Sequence, residues 1–196
     1  MLKKIILVLV IAFAAINATA QTADEVYNAY LDFNLAKAEG RNAAALELGE
    51  ALMPNAGQLT DKARISFYYS LGNLYEDDSQ SIKAQPLYEK VVAAVPDYYV
   101  AQRALGYLYG KKVDELSKKL NASTGADYNR LFGQYVAQVN KMLPHLEKAQ
   151  ACDPTPETLA LIKGYYKFIK DDNGLKTLNT RLAGMSKTCL DLLTDK

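Results

Sequence analysis

The segment Leu71-Gly72-x-x-Tyr75 returns 34 residues later as Leu105-Gly106-x-x-Tyr109. A fixed interval of this size constrains a chain more than its composition does. Each unit must offer its neighbour the same packing surface at the same place. A second echo links Pro86-Leu-Tyr88-Glu-Lys-Val91-x-Ala93-x-x-Pro96 to Pro144-His-Leu146-Glu-Lys-Ala149-x-Ala151-x-x-Pro154, at an offset of 58. That offset exceeds one period by 24 residues, so extra chain is inserted between the two copies.

The spacing of apolar residues is helical throughout, and no strand alternation competes with it. Thr22-Ala-Asp-Glu25 reads as a capping box. After it, Tyr27, Tyr30, Leu31, Leu35 and Ala38 share one helix face, and Gly40 ends the helix. A second helix is expected to turn Ala44, Ala45, Leu48, Ala51 and Leu52 inward. Pro54 to Gly57 reads as a loop, and Thr60 caps the third helix. The stripe Leu105, Tyr109, Leu116, Leu120 runs far beyond the repeat motif. Tyr128, Leu131, Tyr135, Val139, Met142 and Leu146 form a return stripe, with a turn at 121–125 between them. Both helices of this pair are therefore expected to be lengthened by about three turns, with a bend where Pro144 lacks an N–H. Thr155 and Pro156 open the next helix. Asp171 to Gly174 reads as the turn into the last one.

Tyr68-x-x-Leu71-Gly72-x-x-Tyr75, then Ala84-x-x-x-Tyr88, then Pro96 resembles the tetratricopeptide repeat (TPR) family in order and spacing, with Tyr in place of the usual Trp and Phe. The resemblance implies an all-α, TPR-like solenoid of about four antiparallel helical pairs. The third pair would be elongated into a projecting hairpin. It also implies a concave binding face on the first helix of each pair. The matching positions are Tyr69, Asn73 and Glu76, then Arg103, Tyr107 and Lys111, and finally Tyr165. In such an array Cys152 and Cys189 fall on one rim, which leaves a disulfide and two free thiols both open.

Lys3 and Lys4, the apolar run Ile5 to Ile16 and Ala18-Thr19-Ala20 match a secretory signal peptide cleaved before Gln21. Residues 21–196 then form the repeat domain, periplasmic or secreted, with no membrane span. Without Lys3 and Lys4 the charged residues balance to −1 (21 basic, 22 acidic), which offers no electrostatic footprint for nucleic acid.

Catalytic patterns are scarce. His145 is the single imidazole, so no histidine cluster can hold a metal, and it reads as a partly exposed helix-face residue. There is no phosphate-binding glycine loop and no nucleophile elbow. No catalytic residue, metal or cofactor is expected. The expected function is an exported scaffold that binds a peptide or protein of the cell envelope. The alternative is a small-molecule or glycan site that uses the tyrosine-lined groove.

Overall fold

The computed structural model describes residues 21–191, so the signal-peptide reading lies outside the described residues. Among the described residues there are eight α-helices and no strand. They are α1 (Ala23–Ala38), α2 (Asn42–Leu52), α3 (Asp61–Asp77), α4 (Ser81–Ala94), α5 (Tyr99–Asn121), α6 (Gly125–Cys152), α7 (Pro156–Phe168) and α8 (Asp172–Met185). The described residues divide into two compact units, the first ending at Leu59 and the second beginning at Thr60.

In the first unit α1 packs on α2. Thr22 and Glu25 form the capping box, and Gly40 takes the left-handed conformation (φ 71°) that ends α1. The face that α1 buries differs from the apolar stripe in the sequence. Val26, Phe33 and Ala36 are fully buried, while Tyr27, Leu31 and Leu35 are exposed. Val26, Phe33 and Ala36 are seven and three residues apart, so they share one helix face, and that buried face is the one that carries the largest side chain of the three, Phe33. In α2, Ala45, Gly49 and Leu52 are buried, whereas Ala51 is exposed. Residues Met53–Gln58 form a 3-10 helix rather than an open loop.

In the second unit α3 packs on α4, α4 on α5, α5 on α6, and α8 on both α6 and α7. Hydroxyl or carboxylate caps open α3 (Thr60), α7 (Thr155) and α8 (Asp171). Asp172 to Gly174 already belong to α8, so the preceding turn is 169–171. Contacts between α5 and α6 descend along one helix as they ascend along the other. Gly106 meets Leu146, and Gly110 meets Met142, which makes the pair antiparallel. At 23 and 28 residues these two helices are the longest. Their seam is apolar to its tip, through Val113, Leu116, Leu120, Leu131, Tyr135 and Val139. Both α4 and α6 run through an internal proline, Pro86 and Pro144.

The two repeat glycines occupy matching environments. A Cβ on Gly72 would lie 2.9 Å from the Tyr88 ring, and a Cβ on Gly106 would lie 2.7 Å from Leu146 Cδ2 and 3.3 Å from its backbone N. Tyr88 and Leu146 are the partners related by the second sequence echo. Gly110, one turn along, has only an ordinary contact at 3.5 Å to Met142 Sδ. Gly106→Ala is therefore expected to lose about 1 kcal/mol net, overpacking outweighing the helix-propensity gain. Gly110→Ala should gain about 0.5–1 kcal/mol by the same propensity scale. Urea midpoints of the two variants check this. A gain in both would remove the close-approach explanation.

The α6 terminus is bonded to the segment after α8. Cys152 and Cys189 form a disulfide with their Cα atoms 5.5 Å apart. Beyond it Leu190 makes an isolated parallel bridge with Tyr98.

Candidate partner-binding face

Helical periodicity sets Tyr69, Asn73 and Glu76 on one stripe of α3, and Arg103, Tyr107 and Lys111 on one stripe of α5. These are the positions that the repeat resemblance implies for binding. The structure gives them unequal freedom.

Tyr69 is half-buried. Its ring lies edge-on to Tyr98 at 4.9 Å and tilted against Tyr88 at 6.0 Å. Asn73 and Glu76 converge on the buried Tyr88, whose hydroxyl lies 2.5 Å from Asn73 Oδ1 and 2.8 Å from Glu76 Oε2. Burial, followed by the bond to Glu76, raises the Tyr88 pKa far above its ordinary value. The phenol therefore stays protonated and serves as a fixed donor. Asn73, Glu76 and Asp77 also line an open depression of about 370 Å³, so α3 keeps polar edges available beside this anchor.

On α5, Arg103 Nη2 donates to Asp153 Oδ2 at 2.7 Å, and the guanidinium lies 5.5 Å from the Tyr99 ring centroid. Lys111 Nζ donates to Ser81 Oγ at 2.6 Å. Tyr107 stands between these two cations, with 47% of its surface exposed. On α7, Tyr165 is half-buried against the α5–α6–α7 core, and burial raises its pKa. Tyr165 is thus chiefly a packing residue. Tyr107 is the most open aromatic of the set.

A second depression, of about 650 Å³, is lined by Asp61, Arg64, Ile65, Tyr68, Lys90, Ala93 and Ala94. Lys90 Nζ sits 4.8 Å from the Tyr68 ring centroid within it.

Polar residues missed from the sequence cluster on α6. Glu147, 2% exposed, accepts from Tyr166 Oη at 2.5 Å and from two nitrogens of Arg181 at 2.7 and 2.9 Å. Lys148, 7% exposed, reaches Asp97 and the segment after α8. Its hydrogen bond, with that from Thr188, holds the Asp97 carboxyl below the usual carboxylate range. The available signal was the repeated Glu-Lys pair. Glu89 accepts the hydroxyl of Tyr109 on the following helix at 2.8 Å, as Glu147 accepts that of Tyr166. Burial and Glu89 push the Tyr109 pKa up to about 12.

His145 stacks on Tyr109, with centroids 5.5 Å apart, and its Nδ1 lies 2.5 Å from Gln102 Oε1. Burial lowers its pKa, against an opposing pull from Glu89. The unfolded chain therefore takes up this proton first as pH falls. Stability from this group is intact above the ordinary value of 6.5 and declines as pH drops from there to the depressed folded value. The decline in melting temperature over that window should flatten in His145→Gln. An unchanged slope in the variant would assign the pH dependence to other groups.

Among the described residues no group of three or more His, Cys, Asp and Glu is placed to hold a metal ion, and no helix is long and apolar enough to cross a membrane. No protein-family model matches the chain, and neither a curated protein nor a solved structure matches it.

Proposed function

We propose that this chain is an exported, TPR-like interaction scaffold. It binds a peptide or protein segment of the cell envelope through the face that carries Tyr69, Asn73, Glu76, Arg103, Tyr107 and Lys111. Tyr165 supports that face from within, and binding rather than catalysis is its role. Support for a repeat origin comes from the matched surroundings of Gly72 and Gly106 and from the paired Glu–Tyr bonds between successive helices.

The single observation that carries the binding reading is the α5 stripe. Tyr107 is an exposed aromatic on a helix, with Arg103 and Lys111 one turn to either side. An aromatic ring supplies rigid apolar area at small entropic cost, and the flanking cations can hold carboxylates or backbone carbonyls. The acidic rim at Glu76 and Asp77 lies on the same unit. This mixture of signs suits a peptide with both charges better than a uniformly acidic or basic partner.

Tyr107→Ala combined with Lys111→Glu changes exposed residues and should leave melting within about 0.5 kcal/mol of the parent. Capture of envelope proteins by the immobilised mature protein, followed by titration of the recovered partner, is expected to show at least a tenfold loss in this variant. Undiminished capture by a folded variant moves the site off the α5 stripe. A saturable glycan signal with no protein recovered replaces the scaffold with the glycan reading.

A further inference from the structure

After Met185 the chain turns and then lies extended beside the α4–α5 connection. The Leu190 N–H donates to the Asp97 carbonyl at 2.9 Å, and the Tyr99 N–H donates to the Leu190 carbonyl at 3.1 Å. These two bonds make one parallel bridge across Tyr98, the pattern by which an extended peptide adds to exposed backbone.

Side chains complete the frame. Lys148 Nζ donates to Thr188 O at 2.6 Å, Thr188 Oγ1 at 3.1 Å and Met185 O at 3.1 Å, and to Asp97 Oδ1 at 2.7 Å. Thr188 Oγ1 also donates to Asp97 Oδ1 at 2.7 Å. Two of these four Lys148 contacts thus belong to the segment, and a third is the carbonyl that ends α8. A buried ammonium needs acceptors. With the segment withdrawn, its contacts with Asp97 and the Met185 carbonyl would remain, and the opening would call for replacements for the Thr188 oxygens. Tyr98, buried under the bridge, touches Tyr69 edge-on, so this slot adjoins the α3 stripe. Cys189 lies exposed between the two anchoring residues and is tied to Cys152.

We propose that the backbone of Asp97 to Tyr99, with Lys148, is a slot for an extended peptide, filled here by the chain's own Thr188–Leu190 and latched by the Cys152–Cys189 disulfide. This rests on the peptide-binding reading and adds where one segment enters and what gates it. The opening reagent is a dithiol reductant. One of its thiolates attacks Cys189 Sγ and expels Cys152 as a thiolate, which takes up a proton. The second reductant thiol then displaces Cys189, leaving two protein thiols and an oxidised reductant. The incoming peptide is recognised by its backbone, by a Ser or Thr hydroxyl for Asp97, and by carbonyls for Lys148.

The test uses the full mature chain and a labelled peptide, Ser-Lys-Thr-Ala-Leu-Asp, which copies residues 186–191 with Ala in place of Cys189. Fluorescence anisotropy is expected to show at least tenfold tighter binding to reduced than to oxidised protein. The Cys152→Ser/Cys189→Ser variant should bind without reductant, and a probe with Pro in place of Leu should not bind. Hydrogen exchange at the Tyr99 amide should accelerate on reduction and slow again with probe. Far-UV circular dichroism establishes that each sample is folded. A variant that keeps the disulfide, Thr188→Ala with Leu190→Pro, is expected to bind the probe when oxidised. Equal binding in both redox states, or a Tyr99 amide still protected in folded reduced protein, overturns the slot. Absence of probe binding in both the reduced parent and the disulfide-retaining variant does the same. Failure of the α5 stripe reads differently: partner capture survives Tyr107→Ala/Lys111→Glu while probe binding keeps its redox dependence.

Discussion

Replacing Arg181 by methionine is expected to remove about 3 kcal/mol of folding stability. The guanidinium closes the buried end of the α6–α7–α8 packing. It donates to both Glu147 carboxylate oxygens, to the Tyr166 hydroxyl at 2.8 Å, to the Gly174 carbonyl at 3.0 Å and to Thr177 Oγ1 at 2.5 Å. The Glu147 side chain is 3% exposed, so loss of Arg181 strands a carboxylate that water reaches poorly. Because 30% of the Arg181 side chain is exposed, the low end of the usual cost for breaking a buried pair applies. Adding Glu147→Leu to Arg181→Met should recover most of the loss, since the desolvated charge is then gone as well. Denaturant midpoints of the single and double variants measure this. If the double variant is no more stable than the single, the cost lies in packing rather than in the orphaned charge.

Opening the Cys152–Cys189 disulfide is expected to cost about 3–4 kcal/mol by chain entropy alone. The two cysteines are separated by 37 residues, and that span contains α7 and α8, so the cross-link restrains both of these helices in the unfolded ensemble. Guanidinium unfolding of Cys152→Ser/Cys189→Ser against the oxidised parent reads the difference. Native-state hydrogen exchange then locates it. The loss should concentrate in α7, α8 and the segment after them, leaving the α3–α4 seam unchanged. A uniform loss across the second unit would mean that the disulfide supports its whole core.

Much of the helical layout was legible in the sequence because its causes are local. Thr22, Thr60 and Thr155 each cap a helix as their neighbours imply, since a hydroxyl and an amide three residues apart meet within one turn. The lengths of α5 and α6 followed from two apolar stripes that continue past the repeat motif. The face of α1 was misjudged for a related reason. Tyr27, Leu31 and Leu35 make the longer stripe, but Val26, Phe33 and Ala36 are the residues buried, and periodicity counts residues rather than shape complementarity.

The candidate face was legible as positions but not as availability. A repeat pattern places Tyr69, Asn73 and Glu76 on one stripe, yet it cannot show that Tyr88 holds two of them. Tyr107 stands open at the surface of α5 while Leu105 and Leu108 beside it are buried. Neither fact is written within one turn of the residue concerned.

The order of the helices, the hydroxyl caps at Thr22, Thr60 and Thr155 and the glycine-lined seams were set by chemistry acting over a few residues or at a constant repeat interval, and the sequence by itself determined them, whereas the 3-10 turn at 53–58 and the start of α8 came out only in the structure. The Glu147–Arg181 pairing, the docking of Leu190 on Asp97 and Tyr99, and the place of Lys148 between them were decided only by the tertiary structure. Their partners lie 34 to 93 residues apart, and the burial that makes each contact matter exists only once the helices have packed.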